Sequence, residues 1–119
     1  MVEERKDFAD FRREMEGYWQ DADEQAQSFK DPTIPEKRLL LLFERFDARE
    51  RVLADQVVSE WVLSDNEAMQ FDALIVVDKL KIRTALPALK ELVARLGSRQ
   101  DPGTPWKIEK VTRIIRSLN

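Results

Sequence analysis

The chain has 119 residues, 20 Lys or Arg against 23 Asp or Glu for a formal net charge of −3, and neither cysteine nor histidine. That length suits one compact domain and is short of two ordinary ones. Without cysteine there is no disulfide framework or thiolate metal site; without histidine the commonest general base, metal ligand and activator of nucleophiles is missing, so neither catalysis nor a cofactor is expected. Only 3 glycines and an abundance of Ala, Leu, Glu, Lys, Arg and Gln predict an all-α fold. No apolar run approaches the roughly 20 residues of a membrane span, and the acidic start Met1-Val2-Glu3-Glu4 is unlike a signal peptide, so the expectation is a cytoplasmic protein with no membrane partner.

Residues 3 to 30 place Phe8, Phe11, Met15, Tyr18, Trp19, Ala22, Ala26 and Phe29 at steps of three and four, which predicts a long amphipathic helix. Asp31-Pro32-Thr33-Ile34-Pro35 breaks it, because proline bars helical backbone before it and donates no hydrogen bond. Thr33 and Glu36 have the spacing of a capping box for a second helix over 35–46. Asp47 and Glu50 repeat the device for a third, carrying Val52, Leu53, Val57, Val58, Trp61, Val62 and Leu63. Ser64 and Glu67 are spaced as a further box before a fourth helix over 66–80, apolar nearly all round. Leu86, Leu89, Leu92, Val93 and Leu96 mark a fifth, ended by Gly97, with Pro87 in its first turn. Thr104 and Pro105 read as an N-cap and first helical residue of a sixth, striped by Ile108, Val111, Ile115 and Leu118 and backed by Lys107, Lys110, Arg113 and Arg116.

Three columns recur at 34 residues: Leu40, Leu74 and Ile108; Phe43, Val77 and Val111; Phe46, Leu80 and Ile114. A period of this length is what stacked helix pairs write into sequence, since one pair cannot bury its apolar face alone. The period fails before residue 33, so the first helix is an addition to the array. The expected architecture is a short right-handed α-α superhelix of about six helices in three antiparallel pairs: an N-terminal helix (1–31), repeats over 33–63 and 64–97, and a capping helix (104–119), all in one domain.

Within Phe71 to Leu96, Asp72-Ala73-Leu74, Val77, Leu80, a tight turn and Ala85-Leu86-Pro87-Ala88-Leu89 with Leu92 resemble a HEAT-like repeat. The resemblance is fainter over 35–63, reaches only a first helix over 104–118 and excludes 1–31. The turn Lys81-Ile82-Arg83 departs from it in lacking the Gly and Asp common there. The tetratricopeptide signature, which shares the 34-residue period, is not matched. The resemblance implies a binding scaffold, for protein in most relatives and for nucleic acid in some, by analogy of fold.

Charge divides along the chain, with 19 acidic and 10 basic residues in 1–77 against 4 and 10 in 78–119, net −9 and +6. Asp7, Asp10 and Glu14, then Asp21 and Glu24, share a face of the first helix and read either as a docking face for a basic protein or as ordinary solvated surface. Arg45, Lys79 and Arg113 align at the repeat offset, as do Arg49 and Arg83, and Lys81 lies beside them. This basic edge reads as a track for phosphates or an acidic peptide, or as cations completing helix C-termini. Trp61 reads as core. Trp106 aligns with polar Asp72 and reads as packing against the preceding loop or as a partly exposed anchor. Asp21-Ala22-Asp23-Glu24 lacks the glycine and spacing of a calcium loop, so no metal is expected. The expected function is non-catalytic binding of another protein, in its most concrete form an immunity- or antitoxin-like protein that neutralises its partner. The alternative is nucleic-acid binding through Lys79, Lys81, Arg83, Lys107, Lys110, Arg113 and Arg116, and an enzyme would have to work with Asp72 or Asp78 in a groove.

Overall fold

The structure is a computed structural model that describes residues 7–99 and 101–119. It is all-α, with six helices among the described residues: α1 Phe8–Phe29, α2 Ile34–Arg45, α3 Ala48–Val62, α4 Glu67–Leu80, α5 Leu86–Gly97 and α6 Thr104–Leu118. A short 3-10 turn at Arg83–Ala85 leads into α5, a step that the sequence reading missed. The predicted start of the first helix, residues 3–6, lies outside the described residues. Contacts divide the chain into two compact units, Met1–Val57 and Val58–Asn119, with the division falling inside α3.

In the first unit α1 packs on α2. Phe11, Met15, Trp19, Ala22 and Ala26 are buried, the stripe anticipated from their spacing, while Phe29 at its end is 72% exposed. Arg38 of α2 fastens the pair: its guanidinium lies over the Tyr18 ring at 4.7 Å and donates to Asp21 at 3.0 Å and to Gln25 at 2.9 Å. The Tyr18 hydroxyl returns a bond to the Arg38 carbonyl at 3.1 Å. The bond to Asp21, then the interaction of the guanidinium with the Tyr18 side chain, raises the Arg38 pKa, so its charge is secure at every ordinary pH. Phe46 meets Phe11 and Phe43 at ring separations of 5.3 and 5.5 Å.

In the second unit α5 packs on α6, and α6 also packs on α4. Three contacts run in the same order along both α4 and α6: Lys107 Nζ donates to Gln70 Oε1 at 2.5 Å, Lys110 sits over the Phe71 ring at 4.3 Å, and Ser117 Oγ donates to Asp78 at 3.3 Å. Helices joined at their starts, middles and ends in this way are parallel, with α5 returning the chain between them. Of the 34-residue columns, Phe43, Val77 and Val111 are buried in all three copies.

The capping chemistry corrects the sequence reading at three places. Thr33 makes no side-chain cap for α2; instead Asp31 Oδ1 accepts from the Thr33 amide at 3.0 Å and from its hydroxyl at 2.7 Å, holding the Pro-rich corner as an Asx turn. α4 is capped by Asn66, whose Oδ1 accepts from the amides of Ala68 at 3.0 Å and Met69 at 3.2 Å, while Ser64 Oγ accepts from Asn66 N at 3.0 Å. Thr104 is the first residue of α6 rather than its cap, and it is buried. The box at Asp47 and Glu50 forms as expected, with the Glu50 amide donating to Asp47 at 2.8 Å and the Asp47 amide to Glu50 at 3.1 Å.

Candidate functional site

The sixth helix was expected to turn a uniformly basic face to water, and its first half does otherwise. Lys107 and Lys110 both fall against α4, where they meet Gln70 and Phe71. Gln70 is only 6% exposed and donates from Nε2 to the Val62 carbonyl at 2.8 Å, so one amide joins the end of α3 to α6 through α4. Neighbouring side chains then emerge onto the surface. Trp106 is 73% exposed, which rules out the packing role considered for it, and Phe71 is 48% exposed beneath the Lys110 ammonium. Trp106 and Lys110 are four residues apart and so lie on one side of α6. The Trp106 indole and part of the Phe71 ring thus leave apolar area in water, which aromatic interface anchors do.

Beside this patch the same two helices and α5 enclose a cleft of about 90 Å³. Its lining is mostly polar, with Asp65 from the turn before α4, Glu67 at the start of α4 and Arg95, Arg99 and Lys107 from α5, the loop after it and α6, beside the apolar Leu63, Leu92 and Leu96. Gln70 lines the cleft one residue before Phe71, and Lys107 lines it one residue after Trp106. Cleft and patch therefore share both helices. At about 90 Å³ the cleft is far below the roughly 300–1,000 Å³ of a small-molecule site.

The other candidate residues are engaged locally. On α1, Asp7 caps the helix by accepting from the Asp10 amide at 2.8 Å, Asp10 pairs with Arg13 at 3.3 Å, and Asp21 belongs to the Arg38 cluster. Glu14 and Glu24 are exposed. Of the basic edge, Arg45, Lys79, Lys81, Arg83 and Arg113 are all exposed; Lys81 pairs with Asp78 at 3.3 Å and Arg113 with Glu109 at 3.9 Å. Asp78 thus serves Lys81 and Ser117, and Asp72 is 4% exposed within α4. Among the described residues no cluster of three or more acidic side chains is arranged to hold a metal, and no helix is long and apolar enough to cross a membrane. Trp106 is among the residues expected from the sequence to bind, whereas Phe71 and Gln70 are not. The signal for Phe71 was present in its aromatic neighbourhood to polar Gln70 and Asp72, but helix α4 looked apolar on every side.

Fold and site define the class no more finely than an all-α helical protein with an aromatic and cationic surface on two parallel helices. No family model, no curated protein and no solved structure matches the chain.

Proposed function

We propose that the chain is a non-catalytic helical-repeat module of HEAT-like type that binds another protein through Trp106, Phe71 and Lys110. The carrying observation is Trp106, 73% exposed one helical turn before Lys110, which itself covers the half-exposed Phe71 ring, because exposed aromatic anchors are what interface hot spots are made of. The parallel pairing of α4 with α6 supports the repeat reading, since first helices of successive stacked repeats run parallel. A narrower version, an immunity- or antitoxin-like protein, rests on the lack of histidine and cysteine nucleophile chemistry and on the acidic balance of residues 1–77. Nucleic-acid binding is less favoured: the net charge is −3, and Lys81, Arg95 and Arg113 are each paired with an acidic side chain, Asp78, Glu91 and Glu109.

The test is affinity capture from the native host with wild-type chain, Trp106→Ala, Lys110→Ala, and Glu14→Ala with Glu24→Ala. A stoichiometric protein captured by the wild type and by the acidic-face double variant, and lost with Trp106→Ala and Lys110→Ala, is the expected result. Because Trp106 is exposed, its removal should change folding stability by no more than about 0.5 kcal/mol in a urea titration, separating lost binding from lost fold. Capture that survives Trp106→Ala, or steeply salt-dependent binding to an oligonucleotide with no protein captured, sinks the proposal.

A further inference from the structure

Resting on the protein-binding reading, we infer that the cationic end of the seam between α4 and α6 takes an acidic stretch of the same partner protein. Asp78 in the last turn of α4 accepts from Ser117 Oγ in the last turn of α6 at 3.3 Å, which seats the two helix ends against each other. Lys79 and Arg116 are the sequence neighbours of these two residues and the last-turn cations of the two helices. The Ile82 amide donates to the Val77 carbonyl at 3.1 Å, so the chain folds back on α4 and Arg83 stays at the same end. All three cations are exposed, and among the described residues none has an ion-pair partner, whereas Lys81 is taken by Asp78 and Arg113 by Glu109. The helix dipole favours a cation at each helix end. It does not account for Arg83, which belongs to the turn, nor for unpaired cations gathered where two parallel helices finish. Like charges held together without a counter-charge repel one another, and an anion seated among them relieves that repulsion.

The position of this end ties it to the same partner. Phe71 and Asp78 are seven residues apart on α4, about 10 Å at 1.5 Å per residue, and Lys110 and Ser117 repeat the interval on α6. A stable interface takes roughly 20–30 residues from each side, many more than Trp106, Phe71 and Lys110 provide, so a protein seated on them extends along the seam. Acidic groups in that extension are complementary to Lys79, Arg83 and Arg116, and basic ones are not. The chain is net −3 and residues 1–77 are net −9, which favours a short acidic stretch over a polyphosphate, whose charge continues past the three cations.

Full-length, isotope-labelled protein titrated at low salt and followed by amide NMR shifts tests this. The probes are acetyl-Ser-Glu-Asp-Ser-Glu-Asp-Ser-amide, acetyl-Ser-Lys-Lys-Ser-Lys-Lys-Ser-amide and a thymidine oligonucleotide of the same length. The acidic peptide should give saturable shifts at residues 78–83 and 113–117, and the lysine peptide none. Lys79→Gln combined with Arg83→Gln and Arg116→Gln alters only exposed positions and should leave the remaining spectrum in place. It should weaken the acidic peptide about tenfold or more, as should salt at about 1 M. Lys37→Gln combined with Arg45→Gln and Arg49→Gln removes the same charge from exposed positions of the first unit and should leave the binding unchanged. Equal weakening by the two triple variants, no saturation at millimolar peptide, or tighter binding of the oligonucleotide than of the peptide overturns the inference. If that happens while Trp106→Ala still abolishes capture from the host, only the cationic end is reassigned; if capture survives Trp106→Ala, the protein-binding reading falls whatever the peptide does.

Discussion

At the scale of single residues, the decisive one in the second unit is Gln70. A buried amide has four hydrogen-bonding sites and is tolerated in an apolar helix only where neighbours use them. Gln70 spends Nε2 on the Val62 carbonyl at 2.8 Å and Oε1 on the Lys107 ammonium at 2.5 Å. Gln70→Ala strips both partners at once, leaving a terminal carbonyl of α3 and a half-buried ammonium without it. We expect a loss of about 1–3 kcal/mol, read as a lower urea midpoint with unchanged slope. A loss below a few tenths of a kcal/mol means water replaces the amide at no cost. Asp31 is the other residue with a distinct signature. The Thr33 hydroxyl, then the Thr33 amide, hold its carboxyl below the ordinary value of 3.8. A carboxylate whose folded pKa is depressed stabilises the fold above its unfolded pKa and stops doing so as pH falls through the folded one. The stability difference between wild type and Asp31→Asn should therefore be full at pH 7 and shrink below pH 3.8, as followed by thermal unfolding in a pH series. A difference that stays constant to pH 2 refutes the assignment.

At the scale of helices, the starts of α2, α3 and α4 show how one sequence pattern yields three outcomes. Each has a Thr, Asp or Ser three residues before a Glu, the signature of a capping box. Only Asp47 and Glu50 form it. Before α2 the competing acceptor is Asp31, which reaches the Thr33 hydroxyl first. Before α4 the helix begins later, so Asn66 caps and Ser64 is left to brace it. Asn66→Ala should cost about 1 kcal/mol and Glu67→Ala much less, since Glu67 is the first residue of α4 and no box is formed. Equal losses for the two, measured by thermal unfolding, point back to the Ser64 box. The end of α4 makes the complementary point. The turn there lacks glycine, yet Lys81 adopts the left-handed conformation at φ 53° and closes the helix through its amide onto Val77.

At the scale of the whole molecule, charge is divided between the first 77 residues and the last 42, net −9 and +6. If the basic part supplies the partner's docking charge, capture should weaken as salt rises, because exposed charges are screened beyond about 10 Å at 0.1 M and about 3 Å at 1 M. Elution of the captured protein from the wild-type chain by rising salt is the expected pattern. Salt-independent capture assigns the binding to apolar contact alone. The all-α class and the six helices were legible in the sequence, because helical periodicity and apolar spacing are local properties that each segment carries by itself. The placement of Lys107 and Lys110 was not legible. A lysine four residues from an aromatic looks the same on a solvated face as on a packed one, and only the parallel seating of α6 on α4 put Lys110 over Phe71 and Lys107 on Gln70 while leaving Trp106 in water. Sequence alone thus determined which residues form helices; the tertiary structure decided which of the three columns is buried in every copy, which polar groups are consumed in joining helices and which aromatic remains available, since all three depend on neighbours distant along the chain.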